Sequence, residues 1–112
     1  MTKQLLAAAK AAQRHAHAPY SKFRVGAAVI DEHGRVHAGC NVENAAYPEG
    51  TCAEAGAIAA MVLAGGRRIT AAVVAGPDEM ACTPCGGCRQ KLREFAKPQD
   101  LIVIAGDASG VA

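Results

Sequence analysis

Apolar positions recur along this 112-residue chain with two different periods. From Thr2 to Ala16 they fall at Leu5, Leu6, Ala9 and Ala12, with Lys3, Lys10 and Arg14 off that stripe, which predicts an amphipathic helix. Thr2 can cap it and Pro19 lies beyond its end as a stop. Val25–Ile30 and Val36–Val42 read as two strands, and Asp31-Glu32-His33-Gly34 between them reads as a hairpin turn with Gly34 left-handed. Asn44 to Gly50 is a loop punctuated by Pro48. Cys52–Ala64 is apolar almost all round, so this helix is expected to be buried on more than one side, against a sheet, a second subunit, or both. Gly65-Gly66 ends it. Ile69–Ala75 suits an interior strand, Cys85–Ala96 a third helix with Pro84 at its start, and Leu101–Ala105 another buried strand. Gly106 to Gly110 reads as a turn. Helices interleaved with strands in this order predict an α/β fold with helices on both faces of a mixed sheet.

Composition narrows the class. The length fits one domain, residues 1–112. Half of the residues are hydrophobic, but there are only 2 Phe, 2 Tyr and no Trp, so the core must rely on small side chains and close backbone approach. The net charge of +2 forms no basic stripe, which argues against nucleic-acid binding. Arg67-Arg68 and the set Arg89, Lys91 and Arg93 read as solvated faces. No run reaches the length of a membrane span, and the alanine-rich N-terminus lacks the apolar core of a signal peptide. Five cysteines, three of them between Cys82 and Cys88, suit a metal in a reducing cytoplasm better than a disulfide framework.

The chemistry concentrates in Cys52-Ala53-Glu54 and Pro84-Cys85-Gly86-Gly87-Cys88. Cys85 and Cys88 are three apart on one helix face, and Cys52 opens another helix. Helix N-termini favour the thiolate, the form that binds zinc. Three thiolates leave one position of a tetrahedral Zn2+ open, which marks a catalytic rather than a structural site. Glu54 is spaced to serve as base for a water at that position. Other readings stand beside this one. Thr51-x-x-Glu54 is also a capping box, Cys82-x-x-Cys85 is also a dithiol spacing, and three cysteines could hold a structural metal. Cys82 otherwise reads as a spare or structural thiol, and Cys40 as a small buried hydrophobe. His15, His17, His33 and His37 do not match a metal site and read as surface residues. Asn41 and Glu43 alternate at a strand exit, so both face one side and together can bind a hydroxyl.

Four blocks in order carry a family resemblance: Ala18 to Ala28, Asn41 to Pro48, Cys52-Ala-Glu, and Pro84-Cys-Gly-Gly-Cys-Arg-Gln. Across nearly the whole chain the sequence resembles the small homotetrameric zinc-dependent cytidine deaminases. The resemblance implies a three-layer α-β-α sandwich and hydrolytic deamination of cytidine and 2′-deoxycytidine in pyrimidine salvage. Cys52, Cys85 and Cys88 would bind one zinc per chain. Glu54 would shuttle protons while activated water attacks C4 of the base. Asn41 and Glu43 match the pair that holds the ribose 3′-hydroxyl, Phe23 the ring that stacks on the pyrimidine, and Ala53 the backbone N–H that meets its oxygen. Ala45 and Tyr47 match positions that reach a neighbouring subunit's site.

The sequence departs from that pattern twice. Ala55 stands where many relatives place an arginine beside the thiolates, and Arg89 is the alternative cation. Relatives continue past Val111 with a further strand and helix, so the last strand and helix are expected to be missing through truncation. Competing functions are an aminohydrolase for another cytosine nucleoside such as blasticidin S, a non-catalytic zinc-stabilised interaction module, and a dithiol oxidoreductase.

Overall fold

β1 (Gly26–Asp31) is buried along its whole length, so both of its faces must be covered. β2 (Val36–Cys40) and β3 (Ile69–Ala75) flank it, both antiparallel, and β3 continues into β4 (Val103–Asp107) in parallel. β5 (Gly110–Val111) pairs antiparallel with β4, giving a mixed sheet in the order β2-β1-β3-β4-β5. These are elements of a computed structural model that describes residues 2–20, 22, 24–46, 50–76, 94–95, 103–107 and 110–111.

Alternation sorts the sheet's side chains into two cores. Ala28 and Ile30 of β1 with Val73 and Ala75 of β3 meet Leu5 and Ala9 of α1 (Thr2–Gln13). Ala27 and Val29 with Ala72 and Val74 meet Ala53, Ala57, Ile58 and Met61 of α2 (Ala53–Leu63) on the other face. Phe95, helical with Glu94, packs on this second core. The architecture is thus the three-layer α-β-α sandwich.

Small residues set the layer spacing. A Cβ at Gly26 would overlap the Ala9 carbonyl oxygen of α1. One at Gly39 would overlap the Ala57 nitrogen and come within 2.7 Å of the Ala53 oxygen, so α2 rests directly on the backbone of β2. Gly56 faces the same contact, with its Cβ position 3.4 Å from the Gly39 Cα. Backbones that meet this closely replace the large side chains the composition lacks.

Several boundaries differ from the sequence expectation. α1 ends at Gln13 rather than Ala16, well before Pro19. The Gln13 side chain donates to the Arg24 carbonyl, and the His17 N–H is taken by the Asn41 carbonyl, so the chain leaves the helix early. β2 stops at Cys40, and Val42 instead pairs with His17 and Thr51. β4 extends to Asp107, past the expected end at Ala105. Gly110–Val111 pairs with β4 where the sequence predicts a turn from Gly106 to Gly110. Of the expected third helix, only positions 94 and 95 lie among the described residues. Gly34 does take the left-handed conformation, at φ 78°. The end of α2 is a Schellman motif: the Gly66 N–H donates to the Met61 carbonyl and Gly65, at φ 99°, to Val62.

At the hairpin end of the sheet lies a polar cluster that periodicity does not reveal. Asp31 is 1 % exposed, and its carboxylate accepts from the His33 and Arg35 N–H groups, from Arg35 Nε at 2.9 Å and from His37 Nε2 at 2.8 Å. His37 is therefore an interior partner, not the surface residue expected. Arg35 also donates to the Ala64 carbonyl, and Arg67 to those of Val62 and Gly66, so two guanidiniums neutralise the negative end of α2. The backbone N–H groups of Arg67 and Arg68 donate to the Glu32 carboxylate.

Burial pushes the Asp31 carboxyl up, but the hydrogen bonds from His37, Arg35 and His33 and the Arg35 charge outweigh it. The carboxyl is held well below its ordinary 3.8. The folded chain therefore takes up this proton less readily than the unfolded one. Asp31 contributes its full stabilisation above pH 3.8 and loses it as pH falls below that value. Asp31→Asn is expected to lower stability near neutral pH by about 3 kcal/mol. Its unfolding should also depend less on acid than wild type, as read from thermal melts between pH 3 and 7. A variant with the wild-type acid dependence would refute this account.

Candidate active site

Three segments from distant parts of the chain converge beyond the end of β2. Val42 sits between His17 and Thr51, paired parallel with the first and antiparallel with the second. The Val42 N–H donates to the Thr51 carbonyl at 2.9 Å, and the Thr51 N–H returns the bond at 2.8 Å. On the other side, the His17 N–H donates to the Asn41 carbonyl and the Glu43 N–H to the His17 carbonyl. This places the chain entering α2 beside the chain leaving β2, and a cavity of about 570 Å3 opens between them. Tyr20, Asn41, Glu43, Ala45, Thr51 and Cys52 are among its lining residues. That volume is in the ordinary range for small-molecule sites.

Both polar residues expected from the strand exit line the cavity, and each is held by a backbone donor. Asn41 Oδ1 accepts from the Val25 N–H at 2.8 Å, while the Asn41 N–H donates to the Val25 carbonyl. The side chain thus replaces the backbone acceptor of a ladder pair and frees the Asn41 carbonyl for His17. The Val25 bond fixes the orientation of the Asn41 amide, whose Nδ2 is the group able to donate to a hydroxyl. Glu43 Oε1 accepts from the Tyr20 N–H at 3.0 Å, and a carboxylate can only accept. Donor and acceptor side by side match the two needs of one hydroxyl group.

Cys52 is the N-cap of α2, in an extended conformation, and its carbonyl accepts the first helical bond from Gly56. Its thiol does not cap the helix and is exposed at the positive end of the dipole. Because the cap is Cys52, Glu54 stands at the second helical position, one short of the place a capping box requires. The residue is 5 % exposed, and no hydrogen bond or ion pair reaches its carboxylate from the described residues. A buried carboxylate costs free energy unless something meets it. Ala53, between the two, is 1 % exposed.

A thiol at a helix N-terminus with a buried glutamate two residues on fits a zinc site in its donor chemistry. Cys85 and Cys88, the other expected ligands, lie outside the described residues, as do Phe23, Tyr47, Cys82 and Arg89. Accordingly, no group of three metal-binding side chains occurs among the described residues. Ala55 is half-buried in the first turn, where its neighbour Gly56 abuts β2. Sequence reasoning missed Tyr20, Val42 and Thr51 as builders of the cavity. The Tyr20–Glu43 bond spans 23 residues between two irregular segments, which no local period signals.

Residues 1–105 match the family described as the cytidine and deoxycytidylate deaminase zinc-binding region. The chain is 42 % identical over 108 residues to the cytidine deaminase of Sporosarcina psychrophila, a match spanning 94 % of this chain and 79 % of that protein. With the cytidine deaminase of Halalkalibacterium halodurans it shares 37 % identity over 108 residues, covering 96 % of this chain and 81 % of the other. Among solved structures, cytidine deaminase from Burkholderia pseudomallei superposes with a TM-score of 0.91 at 42 % identity, over all of this chain and 90 % of that one. The enzyme from Mycobacterium leprae gives a TM-score of 0.85 at 39 % identity, covering 98 % and 90 % of the two chains.

Proposed function

The chain belongs to the cytidine and deoxycytidylate deaminase zinc-binding family, and from that membership we propose a zinc-dependent hydrolase that converts cytidine and 2′-deoxycytidine to the uridines, releasing ammonia. One observation carries the reading onto this chain's own residues. Cys52, the N-cap of α2, lines the same cavity as Asn41 and Glu43, and the buried Glu54 follows it by two residues.

Cys52, Cys85 and Cys88 would hold the metal, which when bound supplies the Lewis acidity that makes water nucleophilic near neutral pH. Glu54 takes a proton from the attacking water and delivers it to N3 of the pyrimidine, then takes the remaining proton from the hydroxyl formed on C4 and passes it to the departing amine. Water adds at C4, the C4–amine bond breaks, and the products are the uracil nucleoside and ammonia. The Ala53 N–H meets the pyrimidine oxygen, and Phe23 stacks on the ring. Asn41 donates to the ribose 3′-hydroxyl and Glu43 accepts from it. The thiolate charge is offset in part by the N-terminus of α2, at which Cys52 stands, which lessens the need for an arginine at Ala55.

The assembly we propose is a homotetramer of one-domain chains. α2 buries one stripe and turns Ala59 and Leu63 outward, Leu63 being 90 % exposed, so an apolar face is left for another copy. Ala45 and Tyr47 would then reach a neighbouring subunit's site. No helix among the described residues is long and apolar enough to cross a membrane. Neither Cys40 nor Cys52 is in a disulfide, which fits a reducing cytoplasm.

Three measurements on the purified protein test this reading. Zinc should be present at one per chain, cytidine absorbance should fall on incubation, and light scattering should give four times the 11.4 kDa chain mass. Folded, zinc-loaded protein that leaves both nucleosides unchanged would overturn the enzymatic reading. A monomeric mass would overturn the shared site.

A further inference from the structure

The segment that contributes Tyr20 to the nucleoside cavity also lines a separate cavity of about 470 Å3, walled by Ala16, His17, Ala18, Pro19, Lys22 and Arg24. Two of these side chains are permanent cations and His17 adds a ring nitrogen, while no carboxylate lines the cavity. No ion pair within the described residues neutralises Lys22 or Arg24. Two other arginines are engaged: Arg35 pairs with Asp31, and Arg67 donates to two carbonyls at the end of α2.

The backbone also sets this corner apart. Lys22 is the one non-glycine among the described residues with positive φ, at 63°. That conformation costs an L-residue about 1–2 kcal/mol. A bond from the Lys22 N–H to the Ala18 carbonyl at 3.1 Å closes the turn that holds it. Strain kept at a charged residue beside a cavity is a mark of function rather than of packing.

We propose that this cavity is a phosphate-binding site, with Lys22 and Arg24 as the charge and His17 as a further hydrogen-bonding group. Arg suits phosphate through its planar fork, and Lys through its compact charge. The same segment is bonded to the opposite wall of the nucleoside cavity. Its His17 backbone binds Asn41 and Glu43, and the Tyr20 N–H binds the Glu43 carboxylate. An anion seated between Lys22 and Arg24 therefore stiffens the piece of chain that positions Glu43. That second effect, on substrate affinity, rests on the deaminase reading; the binding itself does not.

The test uses the zinc-loaded full chain and two probes, inorganic phosphate and cytidine 5′-monophosphate, at constant ionic strength. Inorganic phosphate, followed by 31P line broadening, should bind saturably at one site per chain with a Kd on the order of 1 mM. The Lys22→Gln/Arg24→Gln double variant, which leaves the proposed catalytic groups intact, should lose that binding. Saturating phosphate should lower the cytidine KM of wild type about fivefold through coupling of the two sites, leave kcat alone, and do neither in the variant. Phosphate binding that persists beside saturating cytidine identifies a free anion as the ligand. Monophosphate that displaces both phosphate and cytidine identifies the phosphate as a nucleotide's own tail. Absence of saturable phosphate binding, or its survival in a correctly folded double variant, overturns the proposal. Phosphate binding without turnover would instead spare the site and refute the deaminase reading.

Discussion

Glu54→Gln is expected to lower the deamination rate by about 1,000-fold while leaving the zinc count at one per chain. The argument begins with position. The residue occupies the first turn of α2, is 5 % exposed, and is not engaged in capping, since Cys52 holds the cap. Glutamine keeps the size and the polar contacts but cannot carry a proton between water, ring nitrogen and leaving amine. Only the proton relay is removed, so the loss should fall on kcat and not on KM. The structural cost is small by comparison: a carboxylate in the first helical turn contributes about 0.3–1 kcal/mol through the dipole. Zinc measured by elemental analysis, helix content by circular dichroism and turnover by ultraviolet absorbance separate these effects. A variant that kept a tenth of wild-type kcat would refute the role assigned to Glu54. One that lost zinc as well would show that the carboxylate holds the metal site together rather than serving it.

Gly39→Val is expected to have the largest effect on the fold. The Cβ alone would penetrate the α2 backbone at Ala57, Gly56 and Ala53, and neither helix nor strand can yield locally. Overpacked cores commonly lose about 1–3 kcal/mol when side chains can shift, and backbone cannot shift so cheaply. Against a total stability of about 5–15 kcal/mol, a loss beyond that range leaves little folded protein at 37 °C. The residue sits on the sheet side of the turn that carries Cys52 and Glu54, so zinc binding should fall with stability. Gly34→Ala is the control. Nothing lies within 4 Å of a Cβ there, and only its φ of 78° opposes the change. It should cost about 1–2 kcal/mol, the price of a left-handed L-residue. Thermal unfolding with and without zinc distinguishes the two. Equal melting temperatures for wild type and Gly39→Val would show that the layers are not set by backbone contact.

The layers were legible because each helix and strand carries its own burial pattern. Leu5 and Ala9 repeat on one helical face, and the apolar run from Ile69 to Ala75 announces a strand covered on both sides. The hairpin was legible because Gly34 has a backbone requirement that few residues meet. Where two distant segments compete for the same hydrogen bonds, the pattern fails. Val42 continues the alternation of β2, yet its N–H and carbonyl belong to Thr51. Ala16 looks helical, yet the neighbouring His17 is drawn to Asn41 and Glu43. Asp31 reads as a turn residue because its burial depends on His37 and Arg35, which meet it only after the hairpin closes. At the site, Asn41 and Glu43 could be picked out by alternation, but not the backbone donors of Val25 and Tyr20 that aim them.

The mutual pair between Val42 and Thr51 has an evolutionary consequence. It clamps both ends of the chain that runs between them, so that stretch is a closed loop whose base does not depend on its length. Residues can be gained or lost between Asn44 and Gly50 without carrying Cys52 away from Asn41. The rim of the cavity, where Ala45 lies, is thereby free to drift toward new substrates or new neighbours while the reacting groups stay in register. One two-residue lock thus uncouples the position of the reacting groups from the length of the loop beside them.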